Sequence, residues 1–89
     1  MGAAVARLAS GAMAVEASEW LSRFAAKLDT ASPSNSEVEA LLRLAGVAAH
    51  ASERTAAPIS CWLAAKAGVE PADAERAARQ LAHELATGP

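Results

Sequence analysis

Cysteine occurs once in the 89 residues, tyrosine not at all, phenylalanine once and tryptophan twice. A lone thiol excludes an intramolecular disulfide framework and points to a reducing compartment, so the expected location is cytoplasmic. No stretch alternates β-branched or aromatic residues with polar ones, which leaves no strand signal. No apolar run reaches the roughly 18 residues a membrane span needs, and no membrane association is expected. Basic charge is short as well. Eight Lys and Arg against ten Asp and Glu, all scattered, give a net charge of −2. With no basic stripe to neutralise phosphates, nucleic acid is not an expected partner.

Bulky core material is the scarcest commodity. Hydrophobic residues make up 53% of the chain, but 26 of them are alanine. Nine Leu, five Val, one Ile, one Phe, two Trp, two Met and the cysteine remain to hold the fold together. A single domain of this size buries only about 60–65% of the surface its unfolded chain exposes. Alanine-lined faces let helix axes approach toward the short end of the usual spacing, so dispersion contacts partly replace bulk. Such a core leaves room for a partner that completes it, and the same alanine faces suit a homodimer.

What is present is helical periodicity. Residues 1–12 read as an N-terminal extension, because Gly11 interrupts an alanine-rich lead and the strong amphipathic pattern follows Met13. Arg7 argues against a cleaved secretory signal, and Ala6 stands where a myristoylation signal has Ser or Thr. The expected fold over 13–89 is an all-α bundle of four main helices. Trp20, Leu21, Phe24, Ala25 and Leu28 define the first, over about 16–29. Pro33 closes the following turn, and two overlapping capping boxes, Ser34 with Glu37 and Ser36 with Glu39, open the second. Its inner face is expected to be Val38, Leu41, Leu42, Ala45, Ala48 and Ala49, with Leu44 and Val47 widening the arc and left exposed. A third helix starts near Pro58, carries Ile59, Trp62 and Leu63, and stops at Gly68 in a left-handed conformation. Pro71 opens the fourth, with Ala74, Ala77, Ala78, Leu81 and Leu85 inward and Thr87, Gly88 and Pro89 fraying.

The polar groups supply no catalytic constellation. Cys61, His50 and His83 sit on separate helices without metal-ligand spacing, so neither metal nor cofactor is expected, and Cys61 reads as a small core hydrophobe rather than a reactive thiol. Ser60 near His50 mimics part of a Ser–His pair, but no nucleophile elbow, oxyanion loop or orienting acid accompanies it, and the chain is not expected to be an enzyme. Trp20 and Trp62 read as core anchors, with an interface hot spot as the alternative. Glu75 and Arg79 at i, i+4 look like ordinary solvated-face chemistry. His50, Glu53 and Arg54, at i, i+3 and i+4 near the end of the second helix, should project together. They form either a simple helix-end ion pair or, with Pro58 and Trp62, a contact patch.

Ala49-His50, then Arg54, then Ala56-Ala57-Pro58 is the most distinctive string. Trp20-Leu21, Leu41-Leu42, Leu44-Ala45, Leu63 and Ala67-Gly68 accompany it. In these residues, over roughly Glu16 to Ala86, the chain resembles a family of small, mostly uncharacterised actinobacterial helical domains associated with molybdenum cofactor guanylylation. Thr55 departs from the family pattern, which has proline after Arg54. Members stand free or are fused to the enzyme that makes molybdopterin-guanine dinucleotide, and are encoded near formate dehydrogenase and its sulfur-transfer accessory. The resemblance implies a non-enzymatic accessory module whose protein partner is a molybdoenzyme or its maturation machinery, with His50, Arg54 and Pro58 as family-like positions. A second reading is a bundle that binds a small anionic nucleotide or cofactor, held by His50 and Arg54 against Trp62.

Overall fold

Local chemistry at the helix ends sets the architecture. In the computed structural model, which describes residues 15–88, four α-helices follow one another: α1 (Ala17–Lys27), α2 (Asn35–Ala51), α3 (Ala56–Ala67) and α4 (Pro71–Thr87). No strand occurs among the described residues, in keeping with the all-α expectation. The proposed N-terminal extension, residues 1–12, lies outside the described residues, as does Pro89. The chain divides after Pro33 into two compact units, α1 belonging to the first and α2 to α4 forming the second.

In the first unit α1 ends two residues sooner than the periodicity suggests. Asp29 adopts φ +59°, and the Asp29 and Thr30 N–H groups donate back to the Ala26 and Ala25 carbonyls at 3.1 and 2.9 Å. This is a Schellman stop with aspartate in the place usually taken by glycine. Trp20 and Phe24 stack with ring centroids 5.9 Å apart, yet both remain largely exposed, and Ala25 is the buried residue of the helix.

In the second unit one of the two candidate capping boxes is used. The Glu37 N–H donates to Ser34 Oγ at 3.1 Å and the Ser34 N–H to Glu37 Oε1 at 2.7 Å, which leaves Ser36 inside the first turn. Helix α3 begins two residues before Pro58. The Ala56 and Ala57 N–H groups donate to the Glu53 and Arg54 carbonyls, so Pro58 falls within a first turn where its missing N–H costs nothing. Gly68 stops α3 at φ +73°, and Pro71 occupies the first turn of α4, both as the sequence indicates. Thr87 closes α4 instead of fraying, its hydroxyl donating to the His83 carbonyl at 2.9 Å.

Helix α2 is central, packing on both α3 and α4, which touch each other little. Its most buried residues are Ala40 and Leu44, each 3% exposed, whereas Leu42 is 67% exposed. Of the expected inner face, Val38, Leu41, Ala45, Ala48 and Ala49 are half-buried and Leu42 lies outside it, while Leu44, expected at the exposed margin, stands at its centre. An apolar arc this broad fixes no centre, and the centre falls on Ala40 and Leu44 because α2 must meet two helices at once. Across from it, α4 offers Pro71, Ala74, Glu75, Ala78 and Ala82, and not the expected Ala77, Leu81 and Leu85, which are exposed. Helix α3 turns its small residues toward α2. Ala57, Ser60, Cys61 and Ala64 are half-buried, with Cys61 Sγ 3.9 Å from the Leu41 carbonyl oxygen. Close helix approach over such side chains leaves no room for an indole. Trp62 stands 58% exposed on the opposite face and Trp20, on α1, 57% exposed, so neither anchors a core.

Candidate functional site

The five residues singled out from the sequence end up dispersed. Helix α2 stops at Ala51, and its C-cap Ser52 leaves helical geometry with φ −135° and ψ −102°. Glu53 and Arg54 thus fall in the link to α3, and the i, i+3, i+4 alignment with His50 is not realised. No ion pair joins the three among the described residues. Pro58 and Trp62 lie one turn apart on α3, exposed, with Lys66 Nζ 5.2 Å above the Trp62 ring. That cation–π contact is made in water and contributes about 0.5–1 kcal/mol.

His50 has different company. It lines an open groove of about 680 Å³ between α2 and α4, together with Arg43, Gly46, Val47, Arg79, Ala82 and Leu85. On α2 the positions 43, 46, 47 and 50 recur at i, i+3, i+4 and i+7, which puts them on one face. On α4 the positions 79, 82 and 86 do the same. This spacing is visible in the sequence, but alanine and glycine between charges make it read as a solvated surface.

Beneath the arginines sits the one ion-pair cluster that joins two helices among the described residues. Arg43 Nε donates to Glu75 Oε1 at 3.0 Å, while Arg79 donates to Glu75 Oε2 through Nε at 2.9 Å and Nη2 at 2.7 Å. The Glu75 side chain is only 12% exposed. The Arg79 and then the Arg43 hydrogen bonds hold its carboxyl below the usual glutamate range, outweighing the opposing effect of burial. The i, i+4 pair on α4 was legible in the sequence, but its third member was not, because Arg43 lies 32 residues away.

The other chemically notable groups stay apart. Ser60 lines a second, smaller cleft with Val47, Ala56, Ala78 and Leu81, whereas His50 does not reach it. Among the described residues no three His, Cys, Asp or Glu side chains come together as metal ligands. Burial pushes the Cys61 thiol up, away from the reactive thiolate. Among the described residues no helix is long and apolar enough to cross a membrane.

Comparison with known proteins adds one finding. Residues 12–88 match the family model of a domain of unknown function, DUF6457. No curated protein and no solved structure matches the chain.

Proposed function

We propose that this chain, which belongs to the DUF6457 family, is a non-enzymatic accessory module that binds a protein partner through the outer face of α3. The observation that carries this reading is the inversion of that helix. Its half-buried side holds Ala57, Ser60, Cys61 and Ala64, while Ile59, Trp62 and Leu63, the side chains able to fill a core, are more than half exposed. Contiguous exposed apolar surface marks interaction sites, and a tryptophan at its centre is the residue type that most often carries binding energy. Helix α3 contains no acidic residue and only one basic one, Lys66, so desolvating it costs little. Glu53 and Arg54, in the link that precedes the helix, are the nearest charged residues on its N-terminal side and would supply a polar rim. The resemblance in the His50, Arg54 and Pro58 string supports a cytoplasmic partner of one class, a molybdoenzyme such as formate dehydrogenase or the machinery that makes and inserts its molybdopterin-guanine dinucleotide.

A tagged copy purified from the native host at moderate salt tests both parts. The expected result is recovery of a molybdoenzyme or the guanylyltransferase, lost when Trp62 and Leu63 are both replaced by alanine. Because these side chains are exposed, the double variant should melt within a few degrees of the parent, so lost recovery reports binding and not unfolding. Equal recovery by the variant would remove the α3 face, and bait alone would remove the partner.

A further inference from the structure

Gly46 poses a question that the fold does not answer. It sits in the middle of α2 with no positive φ, and a Cβ built there meets nothing within 4 Å. Glycine inside a helix is destabilising relative to alanine. Neither a close backbone approach nor a turn requires it here. The space above it is the floor of the α2/α4 groove.

The rim of that groove is basic. Its lining holds Arg43, His50 and Arg79 and no carboxylate, in a chain whose net charge is −2. Glu75 lies beneath the two arginines without lining the groove, and orients both. Arg43 spends only Nε on it, which leaves both Nη groups; Arg79 spends Nε and Nη2, which leaves Nη1. Both guanidiniums therefore line the groove with N–H groups that Glu75 does not engage, the donors that pair with the oxygens of a phosphate or carboxylate. Away from the rim the lining is Gly46, Val47, Ala82, Leu85 and Ala86, which is apolar. The volume falls within the range of small-molecule sites.

We infer that this groove binds a small organic anion, its phosphate or carboxylate seated between Arg43 and Arg79 and its apolar body lying over Gly46. The orientation follows from α2 itself. Its C-terminal end, at His50 and Ala51, carries the negative pole of the helix dipole, which favours the anionic head at the arginine end. His50, two turns or about 10 Å farther along, can then donate to a polar group on the body. The site is separate from the α3 face and independent of the partner reading.

Phenyl phosphate is a minimal probe with both parts, and inorganic phosphate and benzyl alcohol each carry one. Titrated into the 15N-labelled full chain, phenyl phosphate should shift the Arg43 and Arg79 Nε–H signals and the Gly46 and Val47 amides saturably. Inorganic phosphate should bind at least about tenfold more weakly, the loss of roughly 1.4 kcal/mol of apolar contact, and benzyl alcohol should give no saturable shift. Gly46→Leu should block the probe by filling the floor. Arg43→Gln should weaken it while the Arg79–Glu75 pair keeps α4 intact, and Gly46→Ala serves as a second, milder obstruction should the leucine variant not fold. Absence of saturable shifts at Gly46 would overturn the inference, as would binding unaltered by the Gly46 and Arg43 substitutions.

Discussion

Among the described residues of the second unit Leu44 is the only large side chain that is buried, and so it should carry an outsized share of the unit's stability. Removing three buried heavy atoms from Leu44→Ala is expected to cost about 2–4 kcal/mol in transfer and cavity terms. Leu42→Ala, two residues away with its side chain 67% exposed, should stay within about 0.5 kcal/mol of the parent. Chemical denaturation of the two variants measures the pair. A large effect at position 42 would mean that the face of α2 is turned by half a turn from the one described. Nothing at residue scale in the sequence separates these two leucines. Both stand in the run Leu41-Leu42-Arg43-Leu44, at opposite margins of an apolar arc that alanine spreads over about half of the helix, so the local pattern does not say which margin turns inward.

At the scale of elements the sequence is far more informative, because capping is local. The Ser34 and Glu37 box, the left-handed Gly68 and the first-turn Pro71 each follow from a few neighbouring side chains and the backbone groups they satisfy. Where an end depends on a residue acting outside its usual habit, as Asp29 does at φ +59°, the boundary drifts by two residues. Pairing between elements is the level at which local chemistry stops, and Arg43 joining Glu75 is the example. That bond makes a pH prediction. The folded-state pKa of Glu75 is depressed, by the Arg79 and Arg43 hydrogen bonds in that order. Its contribution is therefore complete above the unfolded value, about 4.3, and is lost as pH falls through the lower folded value. Denaturant midpoints should decline on acidification below about pH 5, and Glu75→Gln should flatten that decline. An unchanged acid limb in the variant would show that other carboxyls control it.

For the molecule as a whole, the inside-out distribution of bulk was half legible. The count of alanines foretells a thin core, and the structure bears this out with Ala25, Ala40, Leu44 and Ala74 as the buried apolar set among the described residues. Which large side chains are left outside was not legible, since that depends on how closely α3 and α2 approach. A small residue at a helix contact and a large one on the outer face read identically as apolar. The dispersal of His50, Glu53, Arg54, Pro58 and Trp62 has the same origin, because a helix that ends four residues before Thr55 rotates everything after it. Cys61 turns this thin packing into a clock. Its sulfur rests against the Leu41 carbonyl at 3.9 Å, so an alkylating reagent gains full access only when α3 lifts off α2. With one thiol in the chain, the labelling rate rises with the population in which that contact is open, read without any added tag. It should be slower in the native protein than in denaturant and should quicken in step with the destabilisation of Leu44→Ala; equal rates in both conditions would mean that α3 is not held at all. The lone cysteine, uninformative as chemistry, is in this sense the molecule's own record of how often it comes apart.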